Sequence, residues 1–169
     1  MAKADIRFKH INPDYWTELK AELDKFPDIA LGFPKSKAGS MQYPDGTSLI
    51  DVAFKNNYGD ENDGHPIPPR PFMNAGSINA VTKTRNFQRS MFKAIQEKKI
   101  GAVMAADLMG AKFQFAMRET IINWQRPPNA PFTVQKKGSN DPLVETGLLN
   151  QSVTWELRKK KVNNDGNPL

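Results

Sequence analysis

The sequence predicts an α+β domain: a small, mostly antiparallel sheet beside a long helical hairpin, with a further helix near the N-terminus. Three observations predict it. Apolar residues recur at spacings of three and four from Val81 to Ile95 and again from Met104 to Ile122, the period of helices lying on one core. Short alternating runs flank that block, with Ile29, Leu31 and Phe33 before it and Val153, Trp155 and Leu157 after it, the period of half-buried strands. Prolines punctuate the rest: Pro27 closes the first helical pattern, Pro66 to Pro71 precede the hairpin, and Pro127 and Pro128 end it.

Taken in order, Asp5 to Lys9 alternates and reads as a short edge strand. Asn12 can cap a helix that starts at Pro13, with Ile11 closing over Trp16 as a hydrophobic staple. Trp16, Leu19, Leu23 and Phe26 give that helix its apolar face. Ser48 with Asp51 three residues on marks a second helix through Tyr58, stopped by Gly59; a strand over 49–55 competes with it. The hairpin turns at Gly101, where small residues at Ala102, Ala105, Ala106 and Gly110 permit close approach of another backbone. Between the hairpin and the last strand, Pro127, Pro128 and Pro131 argue for a loop, and 143–151 for a short helix or turn. One domain over 1–161 and a polar tail over 162–169 follow from this order.

Composition narrows the function. Cysteine is absent, which removes disulfides, thiolate metal sites and a cysteine nucleophile. The first ten residues lack the apolar run of a secretory signal, and no segment reaches the roughly 20 apolar residues of a membrane span. The expectation is therefore a chain made in the cytoplasm with no membrane partner. His10 and His65 lie far apart, no HExxH, phosphate loop or GxSxG occurs, and GDENDGH misplaces its glycine for a calcium loop. The reading is that of a protein which is not an enzyme and needs no cofactor or metal.

Charge is divided along the chain. Residues 1–66 carry 8 Lys and Arg against 11 Asp and Glu, whereas 67–169 carry 16 against 7, so the two parts stand at −3 and +9. Opposed ends can draw copies of one molecule together, and a basic part can face nucleic acid. Within the basic part, IPPRPFM stands out. Its prolines restrict φ and favour extended geometry in the residues before them, predicting a stiff polyproline-like arm with Ile67 and Phe72 as anchors and Arg70 forked toward a carboxylate or phosphate. The competing reading is a crossover between helices with Arg70 tied to a carboxylate of its own domain. Lys136 and Lys137, beside Phe132, offer either a nucleic-acid contact or a basic face toward an acidic neighbour.

Taken as an ordered set, IPPRPFM, two helices, PPNAP, KKGS, DPLVETGLL and NQSV resemble the small virion-morphogenesis proteins of tailed bacteriophages, the tail-completion or neck proteins at the junction of head and tail. The likeness runs from about Tyr43 to Leu157. The family's Pro-Arg-Pro-Phe element falls on Pro69, Arg70, Pro71 and Phe72, its Thr-Gly on Thr146 and Gly147, and its serine before the last strand on Ser152. Glu145 stands where members often show Asp, and Asn150 where they often show Arg, so one acid is kept and one cation lost. The resemblance implies a structural virion protein, present in host cytoplasm during assembly. It implies copies that close into a ring, a hexamer on the family's pattern, against adjacent neck and tail proteins around the channel through which DNA passes. A nucleic-acid-binding module is the alternative. The interface would use Ile67, the arm, Lys136, Lys137, Glu145, Thr146, Gly147 and Ser152.

Overall fold

The computed structural model describes residues 14–61 and 66–160. The expected edge strand, the Asn12 cap with its Ile11 staple, His65 and the tail lie outside those residues. Within them the order is α1 (Tyr15–Asp24), β1 (Asp28–Gly32), α2 (Lys35–Ala38), α3 (Leu49–Tyr58), α4 (Phe72–Lys83), α5 (Arg85–Gln96), α6 (Ala102–Ile122), α7 (Pro131–Lys137), α8 (Leu148–Ser152) and β2 (Thr154–Arg158). This is the α+β architecture the patterns predict, with an N-terminal helix and a two-stranded antiparallel sheet.

α6 is the centre. It packs on α4, α5, α8 and both strands. Across the sheet, Leu31 faces Trp155 and Ile29 faces Leu157, so the two alternating runs read from the sequence are partners. The Trp155 ring lies on α6 at Gly110, where an added Cβ would stand 2.2 Å from Cδ1, and its Nε1 donates to Asp107 at 3.0 Å. Gly110 thus admits a side chain rather than a backbone. One cluster of buried residues joins Phe72, Leu49, Met117, Ile121 and Val153. A second joins Leu19, Ile95, Ala102 and Ala105, with Leu23 and Phe26 against it.

Local chemistry explains several boundaries. The Ser48 side chain accepts from Asp51 N–H and caps α3, which decides the helix over the competing strand, and Gly59 ends it at φ 85°. α6 has no cap of its own at Gly101. Instead Glu22, on α1, accepts the Ala102 N–H at 2.7 Å, so α1 supplies the negative group that a helix N-terminus favours.

Four expectations are corrected. The stripe from Val81 to Ile95 is divided between α4 and α5 at Thr84, a buried residue whose Oγ1 donates back to the Ala80 carbonyl at 2.6 Å; such back-bonding competes with the regular ladder. The 127–142 segment contains α7, because Pro131 occupies its first turn, where a missing N–H costs nothing. Trp16 is 61% exposed and sets the edge of its ring against Tyr15, while Leu19 carries the buried side of α1. The fourth concerns α6. Its expected stripe of Met104, Leu108, Phe115 and Ile122 is exposed, and the opposite side, from Ala102 through Ala105, Met109 and Met117 to Ile121, is the buried one.

Candidate functional site

The proline arm is not a free rod. Ile67 and Asp60 exchange two backbone hydrogen bonds, and Arg70 N–H donates to the Asn56 carbonyl at 2.8 Å. Pro71 sits at φ −73°, ψ 56°, and Phe72 N–H reaches back to the Arg70 carbonyl, an inverse γ-turn that bends the arm into α4. Met73 N–H donates to the Asn57 side chain at 3.0 Å. These bonds anchor the arm along α3, and Phe72 lands wholly buried at the centre of the core.

Arg70 is 4% exposed. Its Nε donates to the Pro127 carbonyl at 3.0 Å, Nη2 to the Pro128 carbonyl at 3.0 Å and Nη1 to Asn56 Oδ1 at 3.2 Å. The guanidinium therefore pins the segment after α6 to the one after α3. This is the crossover reading, altered in one respect: the partners are neutral carbonyl and amide oxygens, not a carboxylate. The Pro127 and Pro128 carbonyls are natural acceptors here, since they lie beyond the end of α6 at Ile122 and outside any helical ladder. Burial lowers the Arg70 pKa from its ordinary value.

Beside this crossover lies a cleft of about 390 Å³. Six of the residues singled out from the sequence line it: Ile67, Arg70, Lys137, Glu145, Thr146 and Gly147. They come from three separate stretches of chain, and the fold brings them together. Tyr43, Asn129 and Leu149, which the sequence reading missed, also line it. The Pro-Pro dipeptide downstream of an isolated Arg was the available signal for Asn129, because uncommitted carbonyls attract a buried cation and carry their neighbours with them. Pro69 and Pro71 are exposed on the outer side of the arm, Lys136 is exposed on α7, and Ser152 is 7% exposed beneath β2. Arg70, Phe72 and Ser152 are thus enclosed by their own chain, which gives them packing and anchoring work there.

Electrostatics in the cleft are mixed. Burial pushes the Lys137 pKa down, Glu145 and Asp141 pull it up, and the Arg70 charge pushes it further down; its ammonium donates to the Asp141 carbonyl. Tyr43 is raised above the ordinary phenol value by burial first, then by Glu145 and Asp45. Asp45 accepts Thr47 N–H at 2.9 Å, a bond that lowers its pKa. Asn129 places a buried Nδ2 here that donates to nothing among the described residues.

A second surface is apolar. On a helix at 3.6 residues per turn, Met104, Leu108, Ala111, Phe115 and Ile122 fall on one narrow stripe. Phe115 is 58% exposed and Met104 57%. Their steps of four, three, four and seven follow the seam spacing of a helix that packs on another helix. Among the described residues no helix is long and apolar enough to cross a membrane, so the stripe is not part of a helical membrane span there. The basic end is partly committed: Arg158 pairs with Glu156, and Lys160 donates to the Leu23 carbonyl. Compared with known proteins, the chain matches no family model, no curated protein and no solved structure.

Proposed function

We propose that the chain is a structural subunit of a tailed-phage neck or tail end, whose copies close into a ring, a hexamer on the family's pattern, and contact adjacent neck and tail proteins. The ordered motifs carry the family reading, and the bare outer stripe of α6 carries the assembly reading. A 21-residue helix that is apolar on two opposite sides buries one side in its own core and keeps the other for a partner, since large exposed apolar patches mark interaction sites. The −3 and +9 parts of the sequence favour a heterologous contact, the kind that closes rings. A nucleic-acid role has less support, because Arg158, Lys160 and Lys137 already serve acceptors of their own chain.

The interface accordingly centres on α6, with the exposed Pro69, Pro71 and Lys136 as further contacts. Mass photometry of the purified protein, alone and with tail tubes, tests the proposal. The expected result is a ring or tail-bound species for the wild type and a monomer for the double variant Met104→Asp, Phe115→Asp with an unchanged melting temperature. A wild-type chain that stays monomeric and ignores tails would refute it.

A further inference from the structure

The cleft beside the arm has a feature that packing alone does not use. Arg70 carries five N–H groups, of which three donate within the chain. Among the described residues, one N–H on Nη1 and one on Nη2 are left over. No carboxylate among the described residues forms an ion pair with it, and burial lowers its pKa. A guanidinium taken out of water without a counter-ion is an expensive arrangement, and buried charges are ordinarily paired. The second observation is independent of the first. Asn129 Nδ2, a donor on another residue that lines the same cleft, is buried and has no acceptor among the described residues. Lys137, which gives one N–H to the Asp141 carbonyl, has two further donors on its ammonium at the lining.

From these groups we infer that the cleft is a carboxylate-binding site, occupied by an Asp or Glu side chain on an extended segment of another protein chain. The carboxylate accepts from the free Arg70 N–H groups and from Asn129, with the Lys137 ammonium alongside. A volume of about 390 Å³ is within the roughly 300–1,000 Å³ of ligand sites and exceeds the need of a lone carboxylate. Ile67, Pro68 and Leu149 supply apolar wall for the flanking residues of a peptide. Asp45 and Glu145 also line the cleft, but both are exposed, so water and salt screen them more than they screen buried Arg70. Asp45 is further engaged with Thr47 N–H. This inference rests on the proposed function for one detail only, that in the ring the acidic segment belongs to a neighbouring subunit.

Titration of the ¹⁵N-labelled full chain with the peptide acetyl-Ala-Asp-Ala-amide tests it at constant ionic strength. The Asn counterpart, acetate and inorganic phosphate serve as further probes. Saturable shifts are expected at the Asn129 side-chain amide and the Gly147 backbone N–H, with the Asp peptide binding about tenfold or more tighter than the Asn peptide, since charge-assisted bonds are roughly twice as strong as neutral ones. Acetate should shift the same signals more weakly, because it lacks the flanking residues. Equal binding of the two peptides, or phosphate binding tighter than the Asp peptide, would overturn the assignment, as would acetate matching the peptide. Arg70→Lys reports on the guanidinium if it folds. Asn129→Ala leaves Arg70 in place and should weaken the Asp peptide about three- to tenfold, the worth of one hydrogen bond; no change would count against the site. Peptide binding by a chain that never oligomerises would keep this site and remove the ring, whereas a ring that ignores the peptide would do the reverse.

Discussion

Replacing Arg70 by Met separates a residue that holds its own fold from one that waits for a partner. Methionine keeps an unbranched apolar stem of similar reach but removes the bonds to the Pro127 and Pro128 carbonyls and to Asn56. Hydrogen bonds to a charged group contribute about 1.5–3 kcal/mol each. The low end is appropriate, because Pro128 is exposed and water can reach its carbonyl, and because removing the cation also removes its desolvation cost. Counting the two carbonyl bonds alone at that low end gives a loss of about 3 kcal/mol. For a chain of this length each kcal/mol moves the melting temperature by about 2–4 °C, so the expected drop is about 6–12 °C. Thermal unfolding followed by circular dichroism measures it, with mass photometry of the same sample recording assembly. Arg70→Lys should recover less than half of the loss, since an ammonium cannot match the planar fork to acceptors on two segments. A variant melting within about 2 °C of wild type would refute the argument, whatever happens to its assembly.

Gly110→Ala gains about 1 kcal/mol of helix propensity but sets a Cβ 2.2 Å from Trp155 Cδ1. Overpacking of about 1–3 kcal/mol should win, lowering the urea midpoint in wild type and not in a Trp155→Leu background; equal effects in both would exclude the clash. Ser48→Ala should cost only about 0.5 kcal/mol in chemical denaturation, at the low end of cap values, because the bond to Asp51 N–H is long at 3.4 Å. Glu22 is held below the ordinary carboxylate range by its bond to Lys25 and then by Ala102 N–H. With its folded pKa depressed, the stability it lends is present above the unfolded value and lost as pH falls through the folded one. Melts from about pH 6 to about pH 3 should therefore show a shallower loss for Glu22→Gln than for wild type, and parallel curves would exclude the cap. Met104→Asp with Phe115→Asp should leave the melt unchanged, as both side chains are more than half exposed already.

What the sequence determined by itself was whatever is local in the chain. The cap at Ser48, the stop at Gly59 and the alternation of Ile29 and Leu31 against Trp155 and Leu157 depend on neighbours a few positions away, and each stands where its pattern put it. Part of the candidate cleft was also legible, because Arg70, Lys137, Glu145 and Gly147 are unusual in their own contexts. Tertiary structure alone decided which side of a doubly apolar helix is inside. Periodicity gives a stripe but no direction, and in α6 the small residues Ala102, Ala105, Ala106 and Gly110 turn inward because Ile95 and the Trp155 ring need the space. It also decided the fate of the arm. Prolines make a segment stiff wherever it lies, but whether its cation meets another molecule depends on which carbonyls the fold brings within 3 Å, and those sit more than fifty residues away at Pro127 and Pro128.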